Sequence, residues 1–457
     1  MLSYTRVMMR RGRGPVALAA ALLLALGGCD IDELLIVDDV DVVSRPVFEN
    51  PDNLASVHAG AVREFARAYG GEYNNEGGQV HASGLLADEL FNSDNFSDRQ
   101  AIDARNMQVV NGANQTAYSW LHRARNHAEV AVGLMEANAA SNADEDYDWE
   151  DERAELLGLA GFTYVMFGEN YCGGVPFSTI PQEGETVFGA AETTQEIFAR
   201  AIARFDAALA LDADPAFTAL AQLGKARAML NLATTPAEVS AAADAVSGVA
   251  TDFVYRVGYS DAITTAANAV WQLINAEKRW SASDAEGANG LPFVTDADPR
   301  TPTSESPLGG LAGTIHFNQL KYPEQGTDIP LATGIEARLI EAEAALRTDD
   351  RPGFFAIHNA LRDMVTGLAD LTDTGQSFDE LVDLHFRERA YWLWLTSHRL
   401  GDMRRLLRQY GRQADDVYPI GPTVRGEGRG NDVNLLVPFA EESNPEYDPG
   451  ACNNEVP

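Results

Sequence analysis

The segment 191–249 constrains the fold more than any other part of the chain, because it is almost wholly alanine-rich and helical in pattern. Two dipeptides, Asp214-Pro215 and Thr235-Pro236, interrupt it. Each places a helix-capping side chain before a proline, a residue that is favoured in the first turn of a helix and breaks the helix further along. The segment therefore predicts consecutive helices whose small side chains allow close packing.

The spacing inside this segment is typical of stacked helix pairs. Ala201, Phe205 and Ala208 match the small-large-small seam of the second helix of a tetratricopeptide repeat. Leu220, Leu223 and Gly224 resemble the first helix of the next repeat, one residue out of strict register. Small side chains at these positions let helix pairs stack closely, which favours a short superhelical array.

Helical and irregular segments alternate along the rest of the chain. The pattern predicts helices at about 50–69, 113–139, 148–168, 333–348, 352–369 and 378–410, and mostly loops at 70–112, 171–190, 281–332 and 411–457. A loop as long as 281–332, with six prolines, is uncommon unless it is functional or packed on a scaffold. We predict an all-α fold, a tetratricopeptide-like helical repeat stack with long irregular loops.

The N-terminus has the features of an export signal. Four arginines precede a run of eleven uncharged residues that ends at Leu26, and Gly27-Gly28-Cys29 follows. Such a run spans about 17 Å as a helix, too short for a hydrocarbon core of roughly 30 Å. The cysteine resembles that of a bacterial lipobox, which receives lipid; an uncleaved anchor or an ordinary secreted protein is the alternative. We predict a lipoprotein signal peptide (1–28), an acidic tether (29–45) and a single domain (46–457).

The net charge excludes some classes of partner. The whole chain carries a formal charge of −34, and loss of the four arginines of the signal peptide leaves −34 − 4 = −38. Such a field repels nucleic acid and anionic lipid surfaces, so we expect no nucleic-acid partner. It is compatible with neutral ligands such as sugars or peptides and with a basic partner. Acidity that only keeps an exported protein soluble explains the charge equally well.

Two cysteines remain once Cys29 is assigned to lipidation. They are Cys172 and Cys452, each in loop sequence rich in glycine or proline. Disulfides persist outside the cytoplasm, so we predict a bridge that ties the C-terminus to the first third of the chain. Two unpaired thiols are the alternative.

The sequence offers no recognisable catalytic machinery. No nucleotide-binding, nucleophile-elbow or zinc-protease motif occurs, so we expect no catalytic residue, metal site or cofactor. Asp94, Asp98 and Asp103 lack the spacing of a calcium-binding loop. A glycosidase needs only two carboxylates at the right separation, and the chain has 68 acidic residues. A secreted glycoside hydrolase therefore stays open as a second function.

Short motifs occur in a fixed order along the chain. They are Tyr164–Gly168 with Gly174–Phe177, Asp298-Pro299-Arg300, Lys321-Tyr322-Pro323, Glu336–Ala344, and Glu388-Arg389 with His398-Arg399 and Asp402–Arg405. From the lipobox to the C-terminus, their order and spacing resemble the SusD/RagB family of outer-membrane nutrient-uptake lipoproteins. Trp392, Thr396 and Ser397 depart from the family pattern, which has two glutamates and a glycine there. We interpret the last helix as structural, with Arg399 and Asp402 paired on one face.

This resemblance implies a function. The chain would be a lipid-anchored outer-membrane protein, exposed on the cell surface, that captures an oligosaccharide or peptide. It would pass this nutrient to a TonB-dependent, SusC-like outer-membrane transporter. Asp30 beside the lipid cysteine accompanies surface display in bacteria with such proteins, but inner-membrane retention in some others. A helical-repeat scaffold for envelope assembly is a third function that the stack allows.

The irregular segments supply the ligand-binding residues that we predict. Sugar recognition needs a flat aromatic face for C–H surfaces and fixed amides or carboxylates for hydroxyls. The segment 72–99 supplies both, and the longest loop follows Trp280. The predicted ligand contacts are Tyr73, Asn74, Asn75, Asn92, Asp94, Asn95, Phe96 and Trp280. The alternative is that the Asn and Asp residues only make turns and the aromatic residues anchor loops to the core.

Overall fold

The structure, a computed structural model, describes residues 53–72, 77–141, 149–179 and 186–457. From Leu54 to Pro457 the chain forms one compact unit. The predicted signal peptide, tether and lipid site at Cys29 lie outside the described residues, and so do Tyr73, Asn74 and Asn75.

The long helices of the first half of the unit pack against each other. The helices of this half are α1 (Leu54–Gly70), α2 (Gln79–Leu86), α3 (Ser97–Asp103), α4 (Gly112–Ser141), α5 (Glu150–Asn170), α6 (Thr194–Leu209), α7 (Pro215–Leu232) and α8 (Pro236–Val246). Helix α1 packs on α4, α5 packs on α4, α6 and α7, and α7 packs on α8. The predicted helical stack is confirmed.

The second half continues the stack after an irregular excursion. Its helices are α9 (Ala269–Trp271, continued by a π-helical turn at Gln272–Ala276), α10 (Gly334–Arg347), α11 (Arg351–Arg362), α12 (Phe378–Trp392), α13 (Arg399–Tyr410) and α14 (Ala414–Val417). Helix α10 packs on both α8 and α11. None of the described helices is both long enough and apolar enough to span a membrane.

Short strands tie the loops to the helical stack. They are β1 (Leu90–Asn92), β2 (Val175–Pro176), β3 (Ala191–Glu192), β4 (Val254–Val257), β5 (Trp280–Ala282), β6 (Thr303–Glu305), β7 (Phe317–Gln319) and β8 (Ile329–Thr333). They form antiparallel pairs β1–β5, β2–β3, β4–β8 and β6–β7. Three of these pairs lie wholly or partly in the long excursion between α8 and α10.

Phe205 shows how the helices approach so closely. Its buried ring on α6 lies against Gly161 of α5 and Gly224 of α7. A Cβ atom added at either glycine would lie 2.6 or 2.1 Å from a ring atom, so neither position accepts a larger residue without a shift. Ala201 and Ala208 are buried on the same helix. The predicted small-large-small seam is therefore confirmed.

Side-chain caps start the helices where the sequence predicts breaks. The Asp214 carboxylate accepts a hydrogen bond from the Ala216 amide at 2.7 Å, with a proline in the first turn of α7. Thr235 and Glu238 form a reciprocal capping box at the start of α8. Both predicted helix boundaries are thus confirmed.

Two predicted helices differ in the structure, and the first of them, predicted at 352–369, ends earlier, at Arg362. The predicted last long helix is two helices, α12 and α13, separated by a turn at 393–398. Leu395 and Ser397 adopt left-handed backbone conformations there, with φ of 55° and 59°. Carbonyl oxygens of the turn accept hydrogen bonds from the Lys321 ammonium at 2.5 Å and from the Tyr322 hydroxyl at 3.0 Å. These tertiary contacts override the local helical pattern.

The segment 70–112 is also more ordered than predicted. It contains α2, β1 and α3, whereas the sequence pattern indicates mostly loop. Every residue of α2 is buried, so this helix has no polar face. An amphipathic repeat is the signal by which a helix is recognised from sequence, and α2 lacks it.

Candidate functional site

Strands β1 and β5 belong to the two segments that we predict to contact a ligand, and these strands lie side by side. Strand β1 pairs antiparallel with β5, and this pairing places Asn92 opposite Trp280. Beyond the strand end, the Ser93 amide donates to the Arg279 carbonyl at 2.8 Å. The polar loop after β1 is therefore fastened to the start of the longest excursion.

A column of four planar side chains leads from the core to the surface at this point. The buried His81 ring lies 4.3 Å from the Trp280 ring, centre to centre. The Arg99 guanidinium contacts two rings, at 4.9 Å from the centre of Trp280 and 4.7 Å from the centre of Phe96. Phe96 ends the column and is 53% exposed. The column thus presents one aromatic ring to solvent with a cation behind it.

Asp94 holds the loop that carries this ring. Its carboxylate accepts from the Phe96 amide at 2.8 Å and pairs with the Arg99 guanidinium. Its carbonyl oxygen accepts from Arg425 at 2.9 Å and from the Asn92 side-chain amide at 3.1 Å. Because Asp94 is fully buried, these contacts fix the loop rather than leave the carboxylate available to a ligand.

A second cation borders the exposed ring. The Arg279 guanidinium lies 5.5 Å from the centre of Phe96 and 3.8 Å from the Asp94 carboxylate. It also pairs with Glu277. Each guanidinium of the site therefore has a carboxylate partner, and the site carries no large excess of positive charge.

A loop with exposed apolar side chains lies beside the column. The loop 308–315 is attached to the strand ends, because the Leu311 amide donates to the Lys278 carbonyl at 3.0 Å and the Ala312 amide donates to the Ser93 carbonyl at 2.8 Å. The exposed apolar side chains of this loop are Leu308, Leu311 and Ile315.

Burial determines which side chains of the column carry a charge. Burial, and then the nearby Arg99 cation, lower the pKa of His81 to about 3. The imidazole is therefore neutral at physiological pH, and Arg99 supplies the one charge among the four stacked groups. Because the Arg99 guanidinium supports the Phe96 ring, this ring keeps one orientation. A ligand that stacks on Phe96 therefore has few protein side chains to immobilise.

The sequence prediction needs correcting for three of its residues. Asn92, Asp94 and Trp280 are buried, so in this structure they support the site from behind and offer no surface to a ligand. Asn95 and Phe96 are exposed, as a direct contact requires. For the other predicted contacts, Tyr73 to Asn75, the structure gives no description.

Sequence reasoning missed the groups that hold the exposed ring. These are His81, Arg99 and Arg279. Arg99 follows Phe96 by three residues, a spacing that brings side chains together when a helix begins between them. Arg279 directly precedes Trp280, and His81 lies on the fully buried α2, where no pattern marks it.

The two remaining cysteines lie elsewhere on the unit. Cys172 and Cys452 are joined in a disulfide, with their Cα atoms 5.1 Å apart. The Cys172 amide donates to the Leu435 carbonyl at 3.0 Å, so the C-terminal segment lies against the end of α5. This bridge fastens the tail and contributes nothing to the column.

No family model matches the sequence, and no curated protein is detectably similar to it. Solved structures are similar over nearly their whole length. They include a SusD-like protein from Bacteroides fragilis (TM-score 0.63, 13% identity, 89% of this chain and 98% of that one), a SusD-like carbohydrate binding protein from Bacteroides vulgatus (0.61, 15%, 87% and 97%) and a SusD superfamily protein from Bacteroides fragilis (0.65, 13%, 88% and 100%). The chain has the SusD-like fold. The likeness at this identity is one of fold.

The motifs that suggested this SusD-like fold contact the helical stack and lie outside the column. Arg300 of the Asp298-Pro299-Arg300 motif donates to Glu388 of α12 at 2.7 Å. Its guanidinium also lies 5.1 Å from the centre of the Trp392 ring. The departure from the family pattern at Trp392 is thus accommodated by stacking on an arginine that the motif already provides.

The resemblance to the SusD/RagB family implies a glycine at the position of Ser397. Its positive φ explains the preference for glycine, since a side chain costs free energy in this conformation. In this chain the Ser397 hydroxyl is hydrogen-bonded to Ser83 at 3.0 Å and to Asn170 at 3.3 Å. These buried contacts offset the backbone cost.

Proposed function

We propose that this chain is a cell-surface nutrient-binding lipoprotein that captures a glycan on the Phe96 column. It then passes the glycan to a TonB-dependent outer-membrane transporter. Cys29 would carry the lipid that anchors the chain to the outer membrane. The observation that carries the proposal is the exposed Phe96 ring held on the Arg99 guanidinium.

The geometry suits a sugar ring better than a charged ligand. An exposed aromatic face binds the apolar C–H surface of a sugar. Asn95 precedes this ring and is exposed, so its amide can serve the hydroxyls at its edge. The formal charge of −34 disfavours acidic ligands at long range. Similarity in fold to a SusD-like carbohydrate binding protein from Bacteroides vulgatus supports the same ligand class.

A matched pair of phenylalanine variants tests the site. Phe96 and Phe378 are 53% and 51% exposed, and Phe378 lies at the start of α12, outside the column. A glycan array first identifies the best oligosaccharide, and calorimetry then measures its affinity for Phe96→Ala and Phe378→Ala. We expect Phe96→Ala to lose about tenfold or more in affinity and Phe378→Ala to bind as the parent does. Equal affinities would move the site elsewhere.

A separate experiment tests the transporter partner. Detergent extraction of native membranes and pull-down of the tagged chain should recover a large outer-membrane barrel. Repeated recovery of the chain alone would favour the scaffold for envelope assembly. Release of shorter products from the glycans of the array by the purified chain would favour the hydrolase.

A further inference from the structure

A cavity of about 260 Å³ lies between α12, α13 and α14, and none of its lining residues belongs to the Phe96 column. Its volume is below the roughly 300–1,000 Å³ that is typical of sites for drug-sized molecules, so an occupant has to be compact. The charged side chains that line it are Asp383, Arg387, Arg399, Arg412 and Asp416. Charges of both signs are therefore gathered around a space that fits one small molecule.

Helix geometry and one turn bring these side chains together. Asp383 and Arg387 are four residues apart on α12, so they share one face of that helix. Gly411 ends α13 with a φ of 65°, a left-handed conformation that turns the chain there. Arg412 follows this turn directly, and α14, which carries Asp416, begins two residues later. Both side chains thus reach the cavity that α12 also lines.

Asn289, another lining residue, fixes the position of α14. Its side-chain amide donates to the Asp415 carbonyl at 2.9 Å and to the Tyr418 carbonyl at 2.8 Å. Its side-chain oxygen accepts from the Ile420 amide at 3.1 Å. The wall that carries Asp416 is therefore held in place without a ligand, so binding there orders little of the protein.

Arg399 is the most buried charged side chain of this cavity, with 7% of the side chain exposed. Its Nε and Nη2 atoms donate to the Asp88 carboxylate, which occupies one edge of the guanidinium. The Nη1 atom makes no hydrogen bond within the described residues, and this atom is not sealed from solvent. The edge formed by Nη1 and Nη2 is therefore left for a ligand. Two parallel N–H donors on such an edge match the two oxygens of a carboxylate.

The cavity also offers a carboxylate that no other group occupies. Arg412 donates to Asp383 at 2.8 Å, so these two side chains already satisfy each other in part. Asp416 is exposed, and its carboxylate accepts no hydrogen bond in the part of the chain that the structure describes. A ligand therefore meets an unoccupied carboxylate as well as a free guanidinium edge.

These charges select a ligand that carries both signs of charge. A ligand with only a negative charge is repelled by Asp383 and Asp416, and one with only a positive charge is repelled by three guanidinium groups. A zwitterion suits both, because its carboxylate can bind Arg399 and its ammonium group can bind Asp416. The lining also includes Leu406 and Val417, which suit an apolar side chain.

We propose that this cavity binds a free α-amino acid with a small apolar side chain. The free edge of Arg399 would hold the carboxylate of the ligand, and Asp416 would hold its ammonium group. The side chain of the ligand would lie against Leu406 and Val417. This site goes beyond the glycan capture proposed for Phe96, and either can fail without the other.

Calorimetry with free amino acids and their derivatives tests the ligand class. The purified chain is titrated with glycine, L-alanine, L-valine and L-leucine, and then with the N-acetyl derivative and the amide of the amino acid that binds best. Acetylation removes the ammonium charge, and amidation removes the carboxylate charge. We expect at least one amino acid to bind and each derivative to lose about tenfold or more in affinity, the effect of one hydrogen bond to a charged group.

Variants of two adjacent aspartates locate the binding. Asp415 and Asp416 are both exposed, but Asp416 lines the cavity and Asp415 does not. We expect Asp416→Asn to lose about tenfold in affinity, and Asp415→Asn and Phe96→Ala to bind as the parent does. Arg399→Lys keeps a charge beside Asp88 but loses the free edge, so it should also bind weakly where circular dichroism shows that it is folded.

Three outcomes would overturn the proposal. They are that none of the four amino acids binds, that either derivative binds as tightly as the amino acid from which it is made, or that Asp416→Asn and Asp415→Asn bind alike. Because both aspartates are exposed, these variants give a result even if Arg399→Lys does not fold.

Discussion

The Arg399 guanidinium donates two hydrogen bonds to the Asp88 carboxylate, at 2.6 and 2.9 Å, although 311 residues separate them in the sequence. Both side chains are buried. Asp88 also accepts from the Leu291 amide at 3.1 Å. This one carboxylate therefore joins the first turn of α13, the excursion after β5 and the residues just before β1, which together support the Phe96 column.

Removal of this carboxylate should be costly. We expect Asp88→Asn to lower the free energy of unfolding by about 3–5 kcal/mol, because Arg399 would keep its charge in a buried place without a counter-ion. Urea unfolding followed by circular dichroism measures the change. The exposed pair of Arg351 and Asp373 supplies the control, since Asp373→Asn should have a far smaller effect. Equal losses in both variants would contradict the argument.

The same arginine shows what the sequence could not predict. Helical spacing predicts a pair between Arg399 and Asp402, and this prediction is wrong. Asp402 instead accepts from Arg389 at 2.8 Å and from Arg405 at 3.3 Å. Spacing along a helix decides which side chains share a face, but the partner of a buried charge is chosen by packing between distant segments. No local pattern points from Arg399 to Asp88.

The sequence predicted only part of the candidate site, again because packing between distant segments decides which side chains are buried. The composition of residues 72–99 drew attention to Asn95 and Phe96, and both are exposed. Trp280 was expected at the surface, but the pairing of β1 with β5 places it in the core at 2% exposure. Each of these strands has only three residues, too few for an alternating pattern to reveal which side is buried.

Buried Glu89 should make stability depend on pH. Burial raises the pKa of this carboxyl to about 8, from about 4.5 in the unfolded chain. The folded chain therefore holds the proton more tightly, so this stabilisation is complete below about pH 4.5 and is lost as the pH rises through about 8. Stability should fall by up to about 1.4 kcal/mol for each pH unit within that window.

Glu89→Gln provides the comparison. Its amide oxygen can still accept the hydrogen bond that the Leu395 amide donates to Glu89 at 2.8 Å. We expect the variant to gain stability over the parent progressively between pH 5 and pH 8, as measured by urea unfolding at each pH. Lys321, whose pKa burial lowers to about 8, acts on the folded state mainly above this window. Parallel stability curves for the two chains would contradict the assignment.

The disulfide between Cys172 and Cys452 should stabilise the unit strongly. It closes a loop with a sequence separation of 280 residues. On the chain-entropy view, closing such a loop contributes about 5–6 kcal/mol, and measured values for disulfides are usually smaller. We expect Cys172→Ser, Cys452→Ser and the double variant to lose similar amounts, because either single change breaks the same bridge. Thiol labelling of the unreduced, denatured parent should modify neither residue, and labelling of both would reject the bridge.

Cys29 should be lipidated and residues 1–28 absent from the mature chain. Leu26-Gly27-Gly28-Cys29, which resembles a lipobox, ends a run of eleven apolar residues that is too short for a membrane anchor. Mass spectrometry of the purified chain should find a lipid-modified cysteine at its N-terminus, and Cys29→Ser should release the protein from membranes. Unchanged membrane association of that variant would contradict the prediction. Protease shaving of intact cells would then show whether the anchored chain faces outward.

Trp280 and Phe96, the inner and outer rings of the column, should respond differently to truncation. Trp280 is 2% exposed, so Trp280→Ala should cost about 3–5 kcal/mol of unfolding free energy through the cavity that it leaves. Phe96→Ala removes a half-exposed ring and should cost much less, although it removes the surface on which a glycan stacks.

Trp280→Phe decides whether the inner ring acts on a ligand through the column. A phenylalanine keeps an aromatic face against Arg99, which lies 4.9 Å from the Trp280 ring and 4.7 Å from Phe96. If the column works by holding Phe96, Trp280→Phe should retain most of the glycan affinity that Phe96→Ala loses, as measured by calorimetry on folded protein. A loss in Trp280→Phe as large as that in Phe96→Ala would instead indicate that the ligand reaches the buried indole after a rearrangement.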